Sequence, residues 1–172
     1  RAQAGYTYPN IYGLAFKRAD NGELLLNNGL PQATGDSENL GECSPNFNMG
    51  FNLSASYKKL TLSATLDWQN GGKMYNGTLL TMNYFGATKE SLPYHEGTMV
   101  AKGIDQATGL ENTVQVSKQK YYQAYTNVTE AGIYDTGYLK LRDVTLSYKL
   151  PKFAGVDLSV YAFARNLLLW AK

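Results

Sequence analysis

Hydrophobic and polar residues alternate along one continuous stretch of the chain, from Phe47 to Asn70. Apolar side chains occupy every second position up to Tyr57. After Lys58-Lys59 the alternation resumes and continues to Trp68. A period of two is the pattern of a β-strand with one apolar face. Each run has about the 9–11 residues that a tilted strand needs to cross a bilayer. The pattern therefore predicts a tight antiparallel hairpin over residues 47–70.

The second face of this hairpin is small and hydroxylated. Ser, Thr, Asn and Gly fill it, and Asp67 is its single charged residue. A soluble sandwich usually places Lys, Glu and Arg on its solvent face, whereas a wall of small polar residues suits the inside of a barrel. Tyr57 and Trp68 stand near the two ends of the apolar face, where the interface aromatics of a membrane barrel belong. The pattern favours a membrane barrel.

A second strand region covers residues 138–150, and its apolar parity changes midway. Leu139 and Leu141 share one parity, whereas the apolar positions from Val144 onward share the other. One inserted residue at Arg142-Asp143, a β-bulge, would restore a common apolar face. The sequence therefore predicts a single strand with a bulge rather than two separate strands.

The residues after this strand predict a short turn at Pro151–Gly155 and a further strand that starts near Val156. Apolar residues stand on both sides of that strand. Val160 and Ala162 fall on one side, whereas Tyr161 falls on the other. The pattern leaves open which side joins the apolar face.

Two long segments lack sustained alternation and are rich in turn residues. A short strand is predicted at Ile11–Phe16 and a short helix at Ser117–Thr126. Membrane barrels combine short periplasmic turns with long outer loops. The expected organisation is an outer loop, a transmembrane hairpin, a second outer loop and a second transmembrane hairpin, over residues 1–46, 47–70, 71–137 and 138–172.

Composition is consistent with this organisation. Aromatic residues make up 13% of the chain, with 14 Tyr, and charged residues make up 17%. Abundant tyrosine with few charges fits the aromatic girdles of a barrel, and it fits a glycan-binding surface equally well. The net charge of +2 gives no reason to expect a nucleic acid partner. No stretch approaches the roughly 20 apolar residues of a membrane helix, so any membrane contact must come through strands.

Catalytic and metal chemistry have little support in the sequence. Cys43 is the only cysteine, which excludes an internal disulfide and a cysteine-based zinc cluster, and we interpret it as a plain loop thiol. His95 is the only histidine, so the chain cannot assemble a Ser/His/Asp triad or a site with several histidines. We therefore expect no enzyme activity, no metal and no cofactor.

Tyrosines of the second long loop are the candidate contact residues. They could stack on sugar rings or pack against a lid protein, and the alternative is that they pack the interior of the loop. The candidates are Tyr75, Tyr84, Tyr94, Tyr121, Tyr122 and Tyr125.

Several motifs resemble one protein family. Gly137–Pro151 closely resembles the C-terminal signature of SusC/RagA-type TonB-dependent transporters, and Val160–Trp170 resembles the strand that follows it there. Upstream, Gly29–Pro31, Gly41–Phe47 and Gly71–Thr78 match the family in the same order. The resemblance covers most of the chain, and its motifs are specific to the family but not to a substrate.

This resemblance implies an all-β fold, an antiparallel transmembrane segment of a 22-stranded barrel that a plug closes from inside. It further implies an importer of oligosaccharides or peptides in the outer-membrane lipid, working with a SusD-like surface lipoprotein. TonB would act through an N-terminal part. The plug and the rest of the barrel are absent from this chain, which would supply about four strands.

A soluble β-sandwich module that binds carbohydrate is the alternative. The two hypotheses differ over the face that holds Phe51 and Leu62, which meets lipid in a barrel and a second sheet in a sandwich.

Overall fold

The computed structural model describes residues 2, 4–152 and 155–171, and most of its regular structure is antiparallel strand. The strands are β1 (Asn10–Gly13), β2 (Leu25–Asn27), β3 (Leu30–Pro31), β4 (Glu38–Glu42), β5 (Phe47–Tyr57), β6 (Leu60–Asn70), β7 (Lys73–Tyr75), β8 (Thr98–Val100), β9 (Ile104–Asp105), β10 (Gln115–Ser117), β11 (Ile133–Asp135), β12 (Tyr138–Lys149) and β13 (Ser159–Ala171). The helices are α1 (Gly77–Tyr84) and α2 (Lys118–Thr126), with 3₁₀ turns η1 (Leu92–Tyr94) and η2 (Thr129–Gly132). In the part that is described, no helix combines the length and the apolar character needed to cross a membrane.

The chain divides into two compact units. One unit, here called the loop unit, combines the residues up to Cys43 with Lys73–Tyr134. The other, the sheet unit, combines Ser44–Gly72 with the residues from Asp135 onward. The two long segments that sequence analysis treats as separate loops thus fold together, outside the two long hairpins.

The loop unit is built from short strands around a small core. β1 pairs with β4 and β8 with β10, both antiparallel, whereas β2 pairs with β3 on one side and, in parallel, with β9 on the other. The predicted short helix is present as α2, and the predicted first strand as β1. The buried apolar side chains of the described residues all belong to this unit: Phe16, Leu26, Leu80, Ala101 and Val128.

The sheet unit is one four-stranded antiparallel sheet in the order β13-β12-β6-β5. β5 and β6 pair along their whole length, from Phe47 opposite Asn70 to Tyr57 opposite Leu60. Lys58 takes a positive φ of 54° in the two-residue turn between them. The hairpin that alternation predicts is therefore present with its expected bounds.

The predicted bulge lies in β12 at Arg142. The register of β12 against β6 shifts between Leu141, opposite Leu66, and Asp143, opposite Thr65. The inserted residue returns Leu141 to the face that holds the apolar residues from Val144 onward. The sequence-based interpretation of Arg142-Asp143 is confirmed.

The sequence predicted that the last strand starts near Val156, but strand β13 begins at Ser159. The ladder with β12 starts where Ser159 faces Lys149, and the Leu150 N–H bonds the Leu158 carbonyl at 2.9 Å. Pro151 has no N–H, so it cannot extend the pairing. Of the predicted turn, Phe153 and Ala154 lie outside the described residues, as does Lys172 at the end of the predicted second hairpin.

The register also settles which side of β13 joins the apolar face. Val160, Ala162 and Ala164 face Tyr148, Leu146 and Val144, the apolar positions of β12. Tyr161 and Phe163 face Ser147 and Thr145, so they stand on the hydroxylated face. Their rings lie 6.4 Å apart.

The apolar face of the sheet is exposed across all four strands. Two rows of larger side chains cross it: an upper row of Met49, Trp68, Leu139 and Trp170, and a lower row of Tyr57, Leu60, Tyr148 and Val160. Between the rows, Leu53 is 58% exposed and Leu62 is 46% exposed. Burying such side chains stabilises a protein by roughly 1.5–3 kcal/mol each, so a face of this kind belongs against an apolar medium or partner.

The opposite face is polar and internally bonded. The hydroxyl oxygens of Ser56 and Thr61 lie 2.9 Å apart, and Thr65 donates to the Asn52 side-chain oxygen at 3.1 Å. Two ion pairs lie on this face: Arg142 Nε is 3.6 Å from Asp67 Oδ2, and Arg165 Nε is 3.4 Å from Asp143 Oδ1. The polar face thus combines small residues on β5 and β6 with charged residues on β12 and β13.

Candidate functional site

The two helices of the loop unit contact each other and position most of the candidate tyrosines. α1 begins after Asn76, whose side-chain oxygen accepts a hydrogen bond from the Leu79 N–H at 3.0 Å. An asparagine in this capping position typically stabilises a helix by about 1 kcal/mol. In α2, Tyr121 and Tyr125 stand one turn apart and face the same side, with Tyr122 next to them.

A stack of aromatic rings runs through the loop unit. The buried Phe16 ring lies 4.8 Å from Tyr125, the Tyr125 ring 6.5 Å from Tyr122, and the Tyr122 ring 4.3 Å from Tyr94. The Tyr94 and Tyr122 planes are 6° apart, which makes this the closest and most parallel pair of the stack. The rings therefore fix α2 against η1 on one side and, on the other, against Phe16, which forms an isolated antiparallel bridge with Ala33.

The phenol groups of α2 are held in their neutral form. Burial raises the pKa of Tyr121, Tyr122 and Tyr125 above the ordinary value of 10.0. The negative charge of Glu90 adds to the rise of the pKa of Tyr122, and that of Glu130 adds to the rise of the pKa of Tyr125. These tyrosines act as neutral rings and hydroxyls over the physiological pH range.

A cavity of about 330 Å³ opens beside this stack, between the end of α1, η1 and the first turns of α2. Its aromatic lining consists of Tyr84, Phe85, Tyr94 and Tyr122. Its polar lining consists of Asn83, Ser91, His95, Gln119 and Gln123, with the backbone of Gly86. The lining contains no Lys, Arg, Asp or Glu side chain.

Phe85 is the most exposed aromatic side chain at this cavity. It is 75% exposed and meets Tyr84 edge to face, with ring centroids 5.2 Å apart. A second concave region of about 350 Å³, lined by Leu80, Thr81, Tyr84, Phe85, Thr126 and Asn127, lies against the same ring. Phe85 thus stands between two concave surfaces, and both could receive a ligand.

The structure separates the candidate tyrosines into three groups. Tyr84, Tyr94 and Tyr122 line the cavity. Tyr121 and Tyr125 lie in the aromatic packing, with ring centroids 6.4 Å apart. Tyr75 lies on β7 and is not part of the cavity lining; a Cβ on Gly132 would come within 2.9 Å of its ring. Contact of any of them with substrate or with a lid protein remains a prediction.

Sequence reasoning missed Phe85, Gln119 and Gln123. The sequence-based hypothesis named only tyrosines as stacking residues, and Phe85, which directly follows Tyr84, was not among them. The glutamines had a detectable signal, since an i, i+4 spacing within a predicted helix places Gln119 and Gln123 on one side.

His95 serves the loop structure. Its Nε2 lies 3.0 Å from the Gly86 carbonyl oxygen and 3.3 Å from the Ser91 hydroxyl. Because a carbonyl only accepts, a proton on Nε2 donates to Gly86. Across residues 2, 4–152 and 155–171, no group of three or more His, Cys, Asp or Glu side chains is placed to hold a metal ion.

Comparisons with known proteins agree with the family resemblance. The chain matches no family model. It is 26% identical over 181 residues to TonB-dependent receptor P3 of Formosa agariphila, a match that covers 95% of this chain and 17% of that receptor. It is also 26% identical over 174 residues to TonB-dependent receptor P26 of the same organism, with coverages of 98% and 16%. The chain thus spans about one sixth of the length of these relatives.

A solved structure supports the fold. The RagAB peptide importer in its closed-closed state superposes with a TM-score of 0.54 at 18% identity, over 94% of this chain and 19% of that chain. At that identity the likeness speaks for the fold alone. Together with the two receptors, it confirms the resemblance that the sequence motifs predicted: the chain is similar to a segment of a SusC/RagA-type TonB-dependent transporter of the outer membrane.

Proposed function

We propose that this chain forms part of a TonB-dependent importer of glycans or peptides that works with a SusD-like surface lipoprotein. In this proposal the hairpins within residues 47–70 and 138–172 cross the outer membrane. Residues 1–46 and 71–137 belong to the extracellular side, where they contact the substrate or the lipoprotein. TonB acts through parts of the transporter outside this chain.

The observation that carries the proposal is the contrast between the two faces of the four-stranded sheet. One face carries apolar side chains without a charged residue between its two rows of larger side chains, and most of these side chains are exposed. The other face carries hydroxyls, amides and two ion pairs. Lipid outside and a polar interior account for both faces at once.

The same observation speaks against the soluble β-sandwich. A sandwich buries one face of each sheet against the other sheet, about 10 Å away. Phe51, at 43% exposed, and Leu53, at 58%, should be buried in that architecture. Their exposure favours the barrel segment.

We further propose that the chain has no catalytic role. The relatives are receptors and an importer by name. The His95 Nε2 lies 3.3 Å from the Ser91 hydroxyl, but that hydroxyl donates to the Thr88 carbonyl at 2.7 Å, and among the described residues no carboxylate bonds His95 to complete a triad.

Nutrient uptake by the intact transporter tests the import function. A strain that lacks the whole transporter is compared with its complemented parent for growth on single oligosaccharides and single peptides, each supplied at a limiting concentration. We expect at least one nutrient to require both the transporter and TonB. If growth on each of these nutrients continues after TonB is removed, the proposal is contradicted.

Purification of the intact transporter tests the partner. We expect a surface lipoprotein to co-purify with it in detergent in stoichiometric amount. Its loss from the purified complex, under conditions that keep the transporter folded, would remove the lipoprotein from the proposal and leave TonB-dependent import in place.

A further inference from the structure

We propose that the cavity between α1, η1 and α2 is a subsite for an uncharged saccharide unit, and that Phe85 supplies its stacking surface. This inference rests on the proposed import function and deepens it, because it chooses between the two substrate classes. It also assigns the contact to the loop unit.

The cavity combines an aromatic wall with neutral hydrogen-bonding groups. Four aromatic rings line it, and the exposed ring of Phe85 presents a free face beside Tyr84. The apolar C–H faces of a sugar ring pack against such a surface, as other apolar groups do. Its volume of about 330 Å³ is within the range of small-molecule sites, roughly 300–1,000 Å³.

Hydrogen-bonding capacity is available at this wall. The side-chain amides of Gln119 and Gln123 form no hydrogen bond with any described residue, and neither do the hydroxyls of Tyr84 and Tyr94. An amide offers two donors and an acceptor, and a phenol offers one donor and an acceptor. Vicinal sugar hydroxyls are donors and acceptors at once and suit this mixture.

The side chains of the cavity lining also indicate the charge of the ligand. An acidic sugar or a free peptide terminus is normally held by an opposite charge or by a bidentate arginine. The cavity lining has neither lysine nor arginine, and the carboxylate that raises the pKa of Tyr122, Glu90, is not part of it. The site therefore fits a neutral ligand.

Secondary structure disfavours a peptide. Extended peptides commonly bind by adding a strand to an exposed sheet edge, where main-chain hydrogen bonds supply affinity. The walls of this cavity come from two helices, a 3₁₀ turn and the loop residues that follow α1. No strand edge borders it among the described residues, so a ligand must be recognised through side chains.

Binding measurements on the intact transporter in detergent test the subsite. The probes are hexaoses of glucose, mannose, galactose and xylose, and a hexapeptide with acetylated and amidated ends. The variants are Phe85→Ala and Gln119→Ala, both at exposed positions. Leu110→Ala is the matched control, because Leu110 is 70% exposed in the same unit but does not line the cavity. Circular dichroism and thermal unfolding verify that each variant is folded.

We expect at least one hexaose to bind the unaltered transporter, and Phe85→Ala to weaken that binding about tenfold or more, as loss of a central aromatic contact does. Gln119→Ala should weaken it less, and Leu110→Ala should leave it unchanged. The inference is overturned by any of three results: no hexaose binds, the hexaose affinity is equal in Phe85→Ala and the control, or the capped peptide binds and loses affinity in Phe85→Ala instead.

These outcomes are separable from failure of the import function. Normal hexaose binding in Phe85→Ala with TonB-dependent growth intact overturns the subsite and leaves the importer. Growth that is independent of TonB, with hexaose binding that Phe85→Ala weakens, overturns the importer and leaves the subsite. Loss of the co-purifying lipoprotein in Phe85→Ala, with hexaose affinity unchanged, makes Phe85 a partner contact and overturns the subsite.

Discussion

The ring of Tyr94 lies parallel to the ring of Tyr122, with centroids 4.3 Å apart and only 6° between the planes. Tyr94 is the last residue of η1 and Tyr122 lies in α2, so the pair joins two elements that are more than twenty residues apart in the chain. The wall of the proposed sugar subsite depends on this contact.

Replacing Tyr94 with Leu should destabilise the loop unit. Stacked aromatic pairs contribute about 0.5–1.5 kcal/mol beyond the area they bury, and Leu cannot reproduce the parallel contact. Hydrogen exchange of the α2 amides in the intact transporter measures the loss, and Tyr94→Phe, which keeps the ring, is the control. A double-mutant cycle of Tyr94→Leu with Tyr122→Leu isolates the pair, and a coupling energy of zero would show that the stack contributes nothing.

Alkaline pH should loosen α2. The pKa of Tyr121, Tyr122 and Tyr125 is raised by burial in the folded chain, whereas an unfolded tyrosine ionises near pH 10. Below about pH 10 both states are protonated and the stabilisation is complete; above it the unfolded state loses protons first, so stability falls as the pH rises through the raised folded pKa values.

Unfolding of the intact transporter at about pH 9 and about pH 11 measures this effect. A variant with Phe at all three positions cannot ionise there, and its stability should decline less over the same interval. Equal declines in the variant and the parent would assign the alkaline effect to other groups.

Leu62→Arg should impair insertion into the membrane. Leu62 lies on the apolar face, opposite Ala55 on β5 and Leu146 on β12, and a charge on a lipid face near the bilayer midplane costs roughly 2–4 kcal/mol. Ser63→Arg is the matched control, since Ser63 is the next residue of the same strand and lies on the polar face. Heat-modifiable mobility of the folded barrel in gels compares the two variants, and equal assembly would argue against lipid contact at Leu62.

Deleting Arg142 should be tolerated about as well as substituting it. Without the inserted residue, Leu141 directly precedes Asp143, and regular alternation keeps Leu139, Leu141 and Val144 on the apolar face. Arg142→Ala keeps the bulge and loses only the ion pair with Asp67, which is partly exposed and contributes little. The amount of folded transporter in outer-membrane fractions compares the variants; a much lower yield for the deletion than for Arg142→Ala would show that the bulge itself is required.

Sequence alone predicted the long strands because alternation is strong where one face must be apolar over about ten residues. It also located the bulge at Arg142, since one inserted residue is enough to reverse the apolar parity within a strand that keeps a single apolar face. The turn at Lys58-Lys59 followed from the same pattern.

The same pattern of alternation predicted little of the loop unit. Its strands pair over two to five residues, too few for a period to show, and some of their partners lie far apart in sequence, such as β2 and β9. Helix α1 has no apolar stripe along its Gly-Thr-Leu-Leu-Thr-Met-Asn-Tyr sequence, and its best signal was the capping residue Asn76. The cavity depends on packing between elements that no local pattern connects.

The two rows of larger side chains on the apolar face have a consequence for the membrane itself. Trp68 and Leu60 stand about eight residues apart on β6, which corresponds to about 26 Å along the strand. A tilt of about 35–45° reduces this to roughly 20 Å along the membrane normal. A thicker hydrocarbon layer would have to thin around these strands, at a fraction of a kcal/mol per ångström of mismatch. In the proposed membrane-spanning arrangement, the spacing of Trp68 and Leu60 favours thin bilayers, and reconstitution should be most efficient in lipids with short acyl chains.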